Sequence, residues 1–133
     1  MIMYLVKTPN WIKYLYPDCI WDKKDVHQKV VYLTFDDGPH PIATPFVLDC
    51  LLKFNAKGNF FCIGNNVEKH PAIFSSILEQ GHLVGNHTFH HLRGWAVDTR
   101  SYIEDIKKAQ HLIQSPFFRP PYGRIKRDQI RNI

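Results

Sequence analysis

Apolar residues run through this chain in short blocks that switch between strand and helix spacing. Val30-Val31-Tyr32-Leu33 is a β-branched and aromatic run that reads as a buried strand, stopped soon after by Gly38-Pro39. Val47, Leu48, Leu51, Leu52 and Phe54 recur at helical spacing behind the helix-start pair Thr44-Pro45, and Asn55 and Gly58 end that helix. Phe60-Phe61-Cys62-Ile63 reads as a second buried strand. Val67, Ile73, Phe74, Ile77 and Leu78 mark further helix, broken near His70-Pro71 and stopped at Gly81. His82-Leu83-Val84-Gly85 is a third strand that runs straight into Asn86-His87. From Asp98 to Gln114 a helix is expected, with Tyr102, Ile106, Ala109 and Ile113 facing inward and Ser101 and Glu104 at capping-box spacing. Pro116-Phe117-Phe118-Arg119 reads as a fourth strand, closed by Pro120-Pro121-Tyr122-Gly123. Alternating strands and helices predict an α/β protein with a mainly parallel sheet.

Before the first main strand the pattern is weaker. Thr8-Pro9 reads as an N-cap and first helical residue, followed by a short helix carrying Trp11, Ile12, Tyr14 and Leu15. Cys19-Ile20-Trp21 reads as a short strand and residues 22–29 as a polar loop in which His27 is exposed. Residues 1–27 are thus expected to form an N-terminal extension and residues 28–133 the main domain.

Composition narrows the class without naming it. The 133 residues suit one domain, and 44% apolar with 22% charged residues is an ordinary globular balance. The formal charge of +5 is scattered over short clusters such as Lys23-Lys24 and Lys107-Lys108. With no aromatic interleaving, these read as a solvated basic surface rather than a nucleic-acid interface. Cys19, Cys50 and Cys62 form neither a disulfide framework nor a Cys-rich zinc pattern, and Cys50 and Cys62 read as small buried side chains. The Met1 to Val6 start is too short for a signal sequence, and no stretch approaches the ~18 apolar residues of a membrane span. The resulting expectation is a soluble, reduced, cytoplasmic protein.

Polar residues collect where the strands end. Asp36 and Asp37 follow the first strand, His87 to His91 the third, and Arg119 the fourth; in a parallel α/β sheet or barrel these ends share one face. Strand alternation points the two aspartates in different directions, one suited to a metal and the other to protons. Asp-Asp-Gly-Pro also has the composition of a plain turn. His87 and His91 stand four apart, which on a helical turn puts both on one face, able to hold one metal ion; a His-rich surface loop is the other reading. Asp37 with His87 and His91 would leave coordination positions open, as a catalytic rather than a structural zinc site requires. His90 alternates with these residues and is expected to face away. His40 reads as a loop residue near the cleft rim and His70 as a helix-start residue, while His82 and His111 carry no partner pattern.

Taken together, TFDDGP at Thr34 to Pro39, HTFHH at His87 to His91 and RPPYG at Arg119 to Gly123 resemble the first three motifs of the polysaccharide deacetylases, the NodB-homology group or carbohydrate esterase family 4. The resemblance covers residues 28–133. It implies a distorted, incomplete (β/α) barrel and removal of N- or O-acetyl groups from chitin oligomers, peptidoglycan or xylan. By position it implies that Asp36 is the catalytic base and that Asp37, His87 and His91 are the metal ligands. Arg119 then pairs with the base, and the backbone N–H of Tyr122 helps stabilise the oxyanion. Pro120, Pro121 and Gly123 would shape the wall of the substrate groove. The implied cofactor is a divalent metal, zinc by preference for an Asp-His-His set, with cobalt, nickel or manganese also fitting. The implied partner is an acetylated glycan.

Two further motifs usual in the family are absent from these residues. One is an Asp followed by an aromatic, and the other a Leu-His pair whose histidine is the general acid. Trp21-Asp22 precedes the first strand and His111 sits mid-helix, so neither replaces them. The C-terminal barrel strands would be missing, leaving a sheet edge open to self-association. The alternative expectation is therefore a truncated remnant that binds metal or glycan without turnover.

Overall fold

The computed structural model describes residues 8–22 and 29–133, and the chain divides into two compact units, Met1–Val31 and Tyr32–Ile133. In the first unit, α1 spans Asn10–Leu15 and buries none of its residues. Pro9 is extended and caps the helix by its backbone, its carbonyl accepting from the Ile12 N–H at 3.1 Å; the expected Thr8 cap is displaced by one residue. Cys19-Ile20-Trp21 is not a strand: the Trp21 indole N–H donates to the Tyr16 carbonyl at 2.9 Å, folding the segment back on the helix end. Lys13 pairs with Asp22. The Met1 to Val6 start, Lys23-Lys24 and His27 lie outside the described residues.

In the second unit, β1 (Leu33–Gly38), β2 (Gly58–Cys62) and β3 (Leu83–Asn86) form a parallel sheet in the order β1-β2-β3. The crossovers are α2 (Ala43–Lys53) and the pair α3 (Gly64–Lys69) and α4 (Pro71–Glu79), separated at His70-Pro71. The apolar run before β1 does not form the buried strand expected of it. Leu33 pairs with Gly58, the first residue of β2, so the ladder starts where the run ends, and Val30 to Leu33 are exposed. The strand itself is the LTFDDG segment, which takes in only the last residue of the run.

Leu48 and Leu51 of α2 enter the core with Phe60, Val67, Phe74, Ile77 and Val84. Burial of this kind is worth about 1.5–3 kcal/mol per large aliphatic or aromatic side chain. Leu52 and Phe54, read as part of the same stripe, remain 69% and 73% exposed. Phe54 instead lines an open apolar groove of about 330 Å³ with Leu33, Phe35, Phe46 and Cys50, along the edge where β1 has no strand partner among the described residues. Cys50 is accordingly only half-buried. Cys62 is fully buried, and burial pushes its thiol up to about 12. Gly85 is required by packing, since a Cβ there would lie 2.5 Å from the Phe61 ring.

Helix α5 spans Thr99–Gln110 and is capped by Asp98, whose Oδ1 accepts from the Ser101 N–H at 3.0 Å. The expected Ser101/Glu104 box does not form: Ser101 is already the third helical residue, and Glu104 pairs with Arg100 at 2.9 Å. Tyr102, Ile106 and Ala109 face inward, and Ile113 is buried just beyond the helix end. The expected fourth strand is reduced to one parallel bridge, Asn86 to Phe118. The Asn86 N–H donates to Phe117 O at 2.8 Å and the Arg119 N–H to Asn86 O at 3.0 Å. Prolines at 116, 120 and 121 remove the donors a longer ladder needs. A short helix, α6 (Arg127–Ile130), follows, and no helix among the described residues is long and apolar enough to cross a membrane.

His82 joins the core although the sequence shows no partner for it. Its Nδ1 accepts the Gly58 N–H at 3.2 Å, its ring packs on Phe60, and its Nε2 has no partner. Burial, with Lys57 nearby, lowers its pKa. A histidine whose folded pKa lies below its unfolded value contributes stability that is complete above pH ~6.5 and is lost as pH falls through that range. The melting temperature is therefore expected to drop between pH 7.5 and 5.5, and to drop less in His82→Asn, whose Oδ1 can accept the same N–H without titrating. Equal slopes in thermal melts of the two proteins would contradict this.

Candidate active site

The site grows from a bulge at the end of β1. Pairing with β2 slips between Asp36 and Gly38, leaving Asp37 as the extra residue at φ 67°. A bulge of this kind re-aims one side chain. Asp36 and Asp37 are thereby turned to different partners, beyond what strand alternation alone provides. The Asn66 side-chain amide donates to the Asp37 carbonyl at 2.8 Å and fixes the bulge from α3.

Asp36 receives Arg119 Nη1 at 2.6 Å, across 83 positions of sequence. The same Nη1 reaches Thr34 Oγ1 at 3.2 Å, and the guanidinium lies 3.9 Å from the Phe61 ring centroid. The β3–Phe118 bridge puts Arg119 there, and the ring and hydroxyl set the plane of its fork.

His87 and His91 approach Asp37 from the loop after β3. Nε2 of His91 lies 3.0 Å and Nε2 of His87 3.4 Å from Asp37 Oδ1, and the three candidate ligand atoms all fall within 4.8 Å of one another. The expected helical turn is not what brings the imidazoles together. The segment is a loop with Thr88 at φ 65° and His91 at φ 58°, and these two left-handed residues fold it back on itself. Two carbonyls of the loop are tied to the start of α3, Gly64 N–H donating to Thr88 O at 2.9 Å and Asn65 N–H to Phe89 O at 3.0 Å.

Donor chemistry fits a divalent cation. The buried His87 has Nδ1 2.7 Å from the Arg119 carbonyl, which calls for an Nδ1–H donor and leaves Nε2 as the lone-pair atom facing Asp37. Burial lowers the His87 pKa, the Arg119 carbonyl and the carboxylates of Asp36 and Asp37 opposing it. The neutral ring is the form a metal ligand must take.

Asp105 is the site residue that sequence reasoning missed. It lies 7% exposed on the inward face of α5, and its Oδ2 accepts the N–H of Phe89 at 2.8 Å and of His90 at 2.9 Å. Its Oδ1 meets His90 Nδ1, so the ring of His90 is turned to α5. One carboxylate thus anchors the loop between the two candidate ligands. The signal was available: Asp105 is an acid between Tyr102, Ile106 and Ala109 on an apolar helix face, where an unpaired charge is costly.

The RPPYG segment completes the rim. Pro121 is fully buried and Pro120 half-buried. Tyr122 at φ 60° and Gly123 at φ 64° make a left-handed corner, and the exposed Tyr122 ring lies 4.8 Å from that of His91. His40 is occupied locally, Nδ1 accepting from Ile42 and Ala43 N–H.

One carboxylate and two imidazoles, beside a second carboxylate held by an arginine at the ends of parallel strands, define a candidate metal-dependent hydrolase centre on an α/β scaffold. The chain belongs to the polysaccharide deacetylase family, whose model matches residues 23–133. It is 40% identical over 107 residues to a peptidoglycan-N-acetylglucosamine deacetylase of Bacillus cereus, covering 76% of this chain and 39% of that protein. It is 36% identical over 95 residues to a chitooligosaccharide deacetylase of Rhizobium leguminosarum bv. trifolii, covering 71% and 44%. The solved structure of the peptidoglycan deacetylase PdaC from Bacillus subtilis superposes with a TM-score of 0.72 at 35% identity, over 77% of this chain and 54% of that one. The chain therefore spans about half or less of the relatives it matches, and its fold is a partial α/β barrel of the NodB type.

Proposed function

We propose that this chain carries the metal- and base-bearing part of a hydrolase that removes N- or O-acetyl groups from an acetylated glycan of the chitin-oligosaccharide, peptidoglycan or xylan type. Residues 28–133 form its deacetylase portion and residues 1–27 an extension. The observation that carries the reading is the convergence of Asp37, His87 and His91 within 4.8 Å, next to an Asp36 held by Arg119.

Asp37, His87 and His91 would hold the ion, zinc by preference, with cobalt, nickel or manganese compatible with the same donors. When bound, a divalent ion polarises the acetyl carbonyl and brings the pKa of water down to about 7. Asp36 takes the proton as water attacks, because its carboxylate lies on the same face as the ligands and is aimed by Arg119. The Tyr122 backbone N–H donates to the oxyanion, a contribution of about 3–4 kcal/mol for a well-placed donor. Pro120, Pro121 and Gly123 shape the wall that presents it.

Binding without turnover is the second reading, favoured by where the other histidines stand. His40 caps its own turn, His82 is buried on Phe60 and His90 is paired with Asp105. None of these three imidazoles is free to serve as an acid for the departing amine. The test is acetate release by the purified chain from acetylated chitooligosaccharides, peptidoglycan glycan strands and acetylxylan, with and without added zinc. Zinc-stimulated release, lost on chelation, is expected. A chain that binds zinc and releases acetate from none of them overturns the catalytic reading in favour of the second.

A further inference from the structure

Two short segments beside the site mirror one another: Arg93-Gly94-Trp95 and Tyr122-Gly123-Arg124. The structure crosses them. Arg93 lies over the Tyr122 ring at 4.8 Å and Arg124 over the Trp95 ring at 5.2 Å, with both rings more than half exposed. Tyr122 also packs on His91, so its ring links Arg93 to the candidate metal ligands, and Arg124 follows Tyr122 by two residues on the same corner.

The framework under them is fixed. Gly94 is buried, and a Cβ there would lie 2.6 Å from the Arg124 carbonyl, so only glycine lets the segments close. The fully buried Gln129 donates to Gly94 O at 2.9 Å and accepts from Lys126 N–H at 2.8 Å, and the Trp95 indole donates to Ile125 O at 3.1 Å. Arg100, Arg119 and Arg131 each face a carboxylate, whereas Arg93 and Arg124 have an aromatic ring and no ion pair among the described residues. Stacking orients a guanidinium while leaving its N–H edge open, and that planar edge matches a carboxylate.

We propose that Arg93 and Arg124 form a carboxylate-binding subsite next to the reacting centre, selecting an acetylated glycan with an acidic substituent on or beside the sugar that is deacetylated. This rests on the deacetylase reading and narrows it. A lactyl ether and a uronic acid both supply such a carboxylate, and the same fork accepts either.

The test is calorimetric binding to the full chain of four probes. They are an N-acetylglucosamine–N-acetylmuramic acid tetrasaccharide, its lactyl methyl ester, a glucuronic-acid-bearing acetylated xylan oligosaccharide, and neutral chitotetraose. At low salt an acidic probe is expected to bind about tenfold tighter than its neutral counterpart, as for a hydrogen bond between charged groups. Preference for the lactyl or for the uronic acid probe assigns the source. Arg93→Ala and Arg124→Ala should each lose the preference while binding the neutral probes as before, with unchanged melting temperatures. The salt dependence of the unaltered chain is a check that needs no variant: 0.5 M NaCl should close most of the gap. Equal binding of acid and ester overturns the subsite and leaves the deacetylase reading standing. Failure to bind any of the four overturns both.

Discussion

Asp36→Asn is expected to lower acetate release by roughly 10²–10⁴-fold, the range for loss of a positioned proton acceptor, while metal affinity stays close to that of the unaltered chain. The substitution keeps size and shape, so the Arg119 contact at 2.6 Å can persist as a weaker hydrogen bond. What disappears is the ability to accept a proton. Asp37→Asn is the complementary case. It removes the charge that both His87 Nε2 and His91 Nε2 approach, and it should weaken metal binding first, with activity recovered in part by excess metal. Acetate assays together with cobalt titrations, read from the visible spectrum, separate the two. A reversed pattern would exchange the roles of the aspartates, and an Asp36→Asn rate within threefold of the original would remove Asp36 as the base.

The second large effect is expected at Asp105, which touches neither substrate nor metal. Asp105→Ala leaves the N–H groups of Phe89 and His90 without their acceptor, costing roughly 1–3 kcal/mol for the buried Phe89 N–H and less for that of the part-buried His90. It also releases the loop that holds His87 and His91 against Asp37. Metal affinity should fall about tenfold or more, as when outer contacts of metal ligands are removed. Asp105→Asn keeps one acceptor oxygen and should fall between the alanine variant and the unaltered chain in both respects. Denaturant unfolding of the metal-free proteins gives the stability change and cobalt titration the affinity. A stability loss with unchanged cobalt affinity would make Asp105 a structural residue only.

These residues differ in how far they can be read from the chain alone. TFDDGP, HTFHH and RPPYG identify the family by order and residue type, and the donor set Asp37, His87 and His91 is visible in them. Asp105 was legible in part, as an acid on an apolar helix face, but its partners lie on another element. The mirrored Arg93-Gly94-Trp95 and Tyr122-Gly123-Arg124 segments can be seen in the sequence, yet their crossing cannot. Two elements misled in the other direction. Val30 to Leu33 has the composition of a buried strand, but β2 begins opposite Leu33 and offers nothing earlier to pair with. Phe117-Phe118 has strand composition as well, and its flanking prolines hold it to one bridge.

By itself the sequence determined the alternation of strands and helices, the break at His70-Pro71 and the residue types at the strand ends. These depend on period, on proline and glycine, and on chemistry local to a few positions. Tertiary structure alone decided that a bulge turns Asp37 toward the histidines and that Thr88 and His91 fold their loop through left-handed angles. It also decided that Arg119 meets Asp36. Each of those outcomes depends on hydrogen bonds between segments distant in sequence, and no local propensity encodes them.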